Sequence, residues 1–191
     1  MHLDTTYNMT EKQRLRKELL AARKAMPPEE KAWRDAAIRR HLLDWLEQHP
    51  VKSMGVYWPH AGEPDLTPAY PELAARGVTL ALPVVVAPDA PLVFYAWRPG
   101  DALVKDAHGV MAPVGRDLRV EPELLLLPCV GFNEEGYRLG YGGGYYDRTL
   151  AAMPGVRTVG LSYASGKIVF ESGSHDIPLL DFITETSNLL A

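Results

Sequence analysis

The chain has a single cysteine, Cys129, so no internal disulfide braces it. The apolar neighbours of that cysteine, from Leu124 to Phe132, mark it as a buried thiol rather than a nucleophile, and a reducing cytoplasm is the expected location. Long apolar runs are missing as well: nothing approaches the roughly 18 residues that span a bilayer, and MHLDTTYNM lacks the basic stretch and apolar core of an export signal. Neither membrane insertion nor secretion is expected. There is no excess of positive charge either, and a net charge of −4 argues against a protein held mainly by nucleic-acid phosphates or anionic lipid. Two nucleotide motifs are also absent. The Gly166-Lys167 pair is followed by Ile168, which removes the hydroxyl a Walker A loop places on magnesium. A dinucleotide fingerprint fails because Tyr145 and Asp147 stand where its third glycine belongs.

What is present suffices for one sizeable core, since 47% of the 191 residues are hydrophobic. Thr10 and Gln13 predict a capping box opening a helix that ends at Met26, before Pro27-Pro28. A second helix is predicted over 29–48, with Ile38, Leu42, Trp45 and Leu46 as its apolar stripe. Strand and helix signals then alternate. Strands are predicted at 53–58, 78–86, 92–97, 124–127 and 158–163, and helices at 66–76 and 145–153. That alternation predicts an α/β fold with a largely parallel sheet. A flexible segment over 1–9 and one domain over 10–191 complete the expected organisation.

Between Arg138 and Arg148 the chain reads RLGYGGGYYDR. Glycines packed this densely let backbone amides crowd an anion, because no Cβ blocks the approach and positive φ costs little. A phosphate cradle and an ordinary turn before a helix both fit. The first helix is charged unlike the rest of the chain: Lys12, Arg14, Arg16, Lys17, Arg23 and Lys24 against Glu11 and Glu18. Lys12 and Arg16 are four apart and share a face, which suits a phosphate clamp or a solvated surface. After the first strand, Trp58 offers an apolar wall and Glu63 an acceptor for ring N–H groups; a core tryptophan and a surface turn are the alternatives. Asp147 directly follows the glycines, where a carboxylate can serve magnesium bound to nucleotide phosphates or merely complement a helix dipole.

The run LLLPCVGFNEEGYRLGYGGGYYDR resembles the signature of the 5-formyltetrahydrofolate cyclo-ligase family, also called methenyltetrahydrofolate synthetases. The similarity continues in KQRLR at Lys12 to Arg16, at Glu63, and in the terminal His175-Asp176 segment. It implies a single three-layer Rossmann-like domain similar to sugar-phosphate isomerases and CoA transferases. It also implies ATP- and Mg2+-dependent cyclisation of 5-formyltetrahydrofolate to 5,10-methenyltetrahydrofolate by a monomer. Under the resemblance, ATP is bound by Lys12, Arg16, Arg138, Leu139, Gly140, Tyr141, Gly142, Gly143, Gly144, Tyr145 and Tyr146. The folate falls to Trp58, Glu63, Tyr141, Gly142, Gly143, Gly144 and Tyr145. Arg138, Tyr145 and Tyr146 are the candidates beside the reacting atoms, and Asp147 and Asp176 those for the metal. Two departures stand out. Tyr141 occupies a position that is basic in many members, and an extra residue displaces Asp181 from the family's second C-terminal aspartate. A related-fold sugar-phosphate isomerase and a non-catalytic folate- or nucleotide-binding module are the rival functions.

Overall fold

The computed structural model describes residues 9–186, so the expected 1–9 segment, apart from Met9, lies outside them. Helix α1 (Glu11–Ala25) opens on the anticipated capping box: the Thr10 hydroxyl accepts from the Gln13 amide at 3.2 Å, while Gln13 Oε1 accepts from the Thr10 amide at 2.9 Å. Helix α2 (Pro28–Gln48) begins on a proline, whose missing N–H is no loss in a first turn. There follow β1 (Ser53–Gly55), a 3-10 turn (Thr67–Ala69) running into α3 (Tyr70–Ala75), and β2 (Thr79–Val84). Next come β3 (Val93–Ala96), β4 (Leu103–Lys105), β5 (Met111–Pro113), β6 (Arg119–Val120) and β7 (Leu124–Pro128). The chain closes with β8 (Gly131–Phe132), β9 (Arg138–Leu139), α4 (Tyr145–Ala152), β10 (Arg157–Leu161), a second 3-10 turn (Ala164–Gly166) and β11 (Asp181–Ile183).

Seven strands form the central sheet in the order β11-β10-β7-β1-β2-β3-β6. The five from β11 to β2 run parallel, and β3 is antiparallel to both β2 and β6. Successive residues of β7 feed opposite faces. Leu124 and Leu126 join Ile38, Leu42 and Trp45 of α2 and Tyr70 and Leu73 of α3. Leu125 and Leu127 join Phe94, Phe132, Phe182 and Leu150 of α4. The result is the expected α/β architecture of helices on both faces of a largely parallel sheet. No helix among the described residues is long and apolar enough to cross a membrane.

Several expected elements are shorter in the structure. The 53–58 strand stops at Gly55, beyond which Val56 still donates to Ala81 O at 2.8 Å and the chain then leaves the ladder. The 66–76 helix divides into the 3-10 turn and the six residues of α3. Strands of two or three residues, namely β4, β5, β6, β8, β9 and β11, were not anticipated, because so short a run carries no readable alternation.

Candidate functional site

A cavity of about 520 Å³ opens at the carboxyl ends of β1, β2 and β7, bordered by Tyr57, Trp58, Pro83 and Pro128. From β1 the chain proceeds to β2 on one side, and β7 later pairs on the other, so the crevice lies where strand order reverses. The candidate ATP, folate and metal residues of the sequence line it: Lys12 and Arg16, Trp58 and Glu63, the run from Arg138 to Asp147, and Asp176.

At one end cations and carboxylates interleave. Lys12 Nζ lies 2.7 Å from Asp176 Oδ2 and 5.7 Å from the Phe170 ring centroid, and the Gly173 amide donates to the same carboxylate oxygen at 2.6 Å. Burial opposes the charge on Asp176, but the Lys12 and Gly173 hydrogen bonds outweigh it and hold its carboxyl below the usual range. Asp147 behaves oppositely. Burial, aided by repulsion from Asp176, raises its pKa even though the guanidinium of Arg138 lies 3.9 Å away. Arg16 donates from Nε to Gly140 O at 2.7 Å, and its guanidinium pKa is lowered, chiefly by burial.

The glycine segment connects β9 to α4. Gly144 caps α4 at φ 71°, and a Cβ there would stand 2.8 Å from Arg148 Nη1; a Cβ on Gly140 would meet Arg138 Nη2 at 2.4 Å. Arg148 donates to Gly143 O at 2.8 Å and stacks 4.7 Å from the Tyr145 ring centroid. The buried Arg138 lies 5.3 Å over the ring of Tyr146, and its Nε has no hydrogen-bond partner among the described residues. An orphaned donor of this kind, on a side chain that lines the cavity, suits an anionic ligand.

The other end is apolar around one carboxylate. Trp58 sits edge-on to Trp97 at 5.8 Å. Glu63, only 4% exposed, accepts from the Tyr141 hydroxyl and from the His60 amide, each at 2.8 Å. Burial nevertheless pushes its pKa up to about 7 against those hydrogen bonds and the charges of Arg23 and Arg138.

Sequence reasoning gave no individual role to Arg23 or Tyr57, nor to Asp106 and His108 at the tip of the β4–β5 hairpin, and left His60 unassigned; Tyr57, His60, Asp106 and His108 all line the cavity. The His108 ring approaches Tyr145 at 5.7 Å, and Asp106 Oδ1 fixes the tip by accepting from the His108 and Val110 amides at 2.8 and 2.9 Å. Asp181 is placed elsewhere: buried on β11, it accepts from Trp45 Nε1 at 2.9 Å. His175, the neighbour of Asp176, is exposed.

Mg2+ fits the donor set. Asp147 and Asp176 supply hard carboxylate oxygens, and no group of three or more His, Cys, Asp or Glu among the described residues is arranged as a full protein cage. Magnesium at a nucleotide takes one or two carboxylates and completes its shell with phosphate and water.

Comparison with known proteins gives a consistent result. Residues 8–171 match the model of the 5-formyltetrahydrofolate cyclo-ligase family. A 5-formyltetrahydrofolate cyclo-ligase of Haemophilus influenzae is 27% identical over 184 residues, covering 92% of this chain and 98% of the relative. One from Escherichia coli K12 is 29% identical, covering 85% and 93%. The NMR structure of Aquifex aeolicus 5,10-methenyltetrahydrofolate synthetase superposes with a TM-score of 0.81 at 33% identity, covering 95% of this chain and 93% of that one. With a family model matched over most of its length and these relatives alongside, the chain belongs to the 5-formyltetrahydrofolate cyclo-ligase family.

Proposed function

We propose that this chain catalyses the ATP- and magnesium-dependent closure of 5-formyltetrahydrofolate to 5,10-methenyltetrahydrofolate, releasing ADP and phosphate. The observation that carries the reading is the division of one cavity into a cation-and-carboxylate end and an apolar end built around Glu63. The first suits a triphosphate. The second suits a flat, N–H-bearing ring.

A formamide oxygen is a poor leaving group, so it is converted to a better one. The formyl oxygen attacks the γ-phosphorus as the bond to the ADP oxygen breaks, leaving an N5-iminium phosphate. N10 then attacks the formyl carbon and loses its proton, and phosphate leaves with the C–O electron pair. The protein's share is alignment and charge neutralisation. Lys12, Arg16 and Arg138 face the phosphates, and the positive-φ glycines at 142 and 144 keep the loop close to them. Mg2+ held by Asp147 and Asp176 would offset the charge developing on the phosphate oxygens. Tyr146, partly buried beneath Arg138, shields the reacting centre; Tyr145, in contact with Arg148 and His108, forms a second wall. On this reading the enzyme is a cytoplasmic monomer that engages neither nucleic acid nor membrane.

The test is ADP release measured with and without 5-formyltetrahydrofolate, alongside the longer-wavelength absorbance of the more conjugated product. Both signals should require folate, ATP and Mg2+ together. Turnover without nucleotide would favour a sugar-phosphate isomerase or another ATP-independent enzyme, and binding without turnover a non-catalytic module; either overturns the proposal.

A further inference from the structure

Arg23 is the buried residue of α1, only 7% exposed, and the reaction as described gives it no task. A cation enclosed in protein is costly unless its donors are matched. Arg23 Nη2 donates to Cys129 O at 2.8 Å, Nη1 lies 3.3 Å from the Tyr141 hydroxyl, and the guanidinium sits 5.8 Å from the Tyr163 ring centroid. The Tyr141 hydroxyl in turn donates to Glu63 Oε1 at 2.8 Å. The turn bearing Glu63 is fitted to the same side chain: Gly62, at φ 73°, would put a Cβ 3.0 Å from Arg23 Cγ. Besides Cys129 and Tyr163, three segments of the site therefore converge on this one side chain. These are α1, the glycine segment and the loop after β1.

We propose that Arg23 is a positioning residue for the folate: through Tyr141 it fixes the Glu63 carboxylate at the apolar end of the cavity. The inference rests on the cyclo-ligase reading above. Its geometry has a further consequence. Arg23 follows Arg16 by seven residues, two helical turns, so both project from one face of α1. Arg16 holds Gly140 O and Arg23 reaches the hydroxyl of Tyr141, the next residue along. One rigid helix thereby sets the nucleotide end and the folate end of the site against each other.

The electrostatics around Glu63 agree. Arg23 faces it from α1, Arg138 from β9 and Tyr141 from the glycine segment. Tyr57, Tyr70 and Tyr146 face it from the β1 loop, α3 and α4, and Lys31 of α2 donates to its backbone oxygen at 3.1 Å. Burial raises the proton affinity of Glu63, and the hydrogen bonds from the His60 amide and the Tyr141 hydroxyl, then the charges of Arg23 and Arg138, lower it, leaving the pKa about 7. The charged, ring-accepting form thus exists above about pH 7 and is lost as pH falls through that value. Removing Arg23 takes away a lowering influence, so the lower edge of this window moves upward.

The experiment is steady-state kinetics of the full chain across pH 5.5 to 9, about the range over which such a carboxyl titrates. For the unsubstituted enzyme the KM for 5-formyltetrahydrofolate should climb below about pH 7. Arg23→Met should raise that KM about tenfold near neutrality and move its acid limb up by about one pH unit, with the KM for ATP little changed. Arg23→Lys, which keeps the charge but not the fork, should restore most of the limb's position. If Arg23→Met does not fold, Tyr141→Phe cuts the same relay without emptying the guanidinium site and should also move the limb upward. An unshifted limb in the folded variants, or equal losses for folate and ATP, overturns the assignment of Arg23 alone. A parent protein with no folate-dependent ADP release overturns the cyclo-ligase reading and this role with it.

Discussion

The two N-terminal helices are neighbours in sequence and opposites in attachment. Helix α2 sinks Ile38 and Leu42 to zero exposure and adds Trp45 and Leu46 to the main core. Helix α1 buries a single residue, and that residue is a cation. Polar contacts tie it down: Lys12 to Asp176, Arg16 to Gly140 O, Arg23 to Cys129 O. An apolar attachment is indifferent to ligand, whereas every one of these partners belongs to, or adjoins, the cavity. The difference separates a helix held by the core from one held by the lining of the candidate site.

The largest effect should come from α2. Leu42→Ala removes a fully buried side chain and should cost about 2–5 kcal/mol in urea unfolding, while kcat per folded molecule stays near the parent value. On α1, Lys12→Ala and Arg16→Ala should each lose about 1.5–3 kcal/mol of kcat/KM for ATP, since charge-assisted hydrogen bonds are at stake. Their unfolding midpoints should move little, because the Lys12–Asp176 pair is partly exposed, 29% and 22%, and such pairs add little stability. Substitutions on α1 that unfold the protein but spare ATP use would erase the contrast. The two C-terminal aspartates sharpen it at the smallest scale. Asp176→Asn should raise the magnesium needed for half-maximal activity, whereas Asp181→Asn, weakening a hydrogen bond to Trp45, should cost about 1 kcal/mol of stability and leave magnesium dependence alone.

The same contrast governs what the sequence discloses. Local rules are written locally: the Thr10 and Gln13 cap, the Pro27-Pro28 break and the apolar stripe of α2 all read directly from spacing and reappear in the structure. The polar residues of the candidate site were legible because family motifs mark them, and they share one cavity, although their roles rest on experiment. The β4–β5 hairpin escaped because three-residue strands exist only through their cross-strand partners. Its tip therefore brings Asp106 and His108 to the cavity by tertiary placement alone. Arg23 was visible as one of six cations on α1 but indistinguishable from the solvated ones. The available signal was its two-turn register with Arg16, which acquires meaning only once the Glu63 turn lies alongside.

The burial of Cys129 has a practical use. Its thiol donates to Leu127 O at 3.3 Å, is fully enclosed, and is pushed by burial to a pKa of about 11. At neutral pH almost none of it is thiolate, the form that reacts. Maleimide reagents should therefore pass the native chain by. A cysteine introduced at a solvent-facing position such as Val169, 92% exposed, becomes the sole reactive handle without any prior removal of Cys129. A fluorophore attached there would report on its surroundings in an otherwise unaltered core.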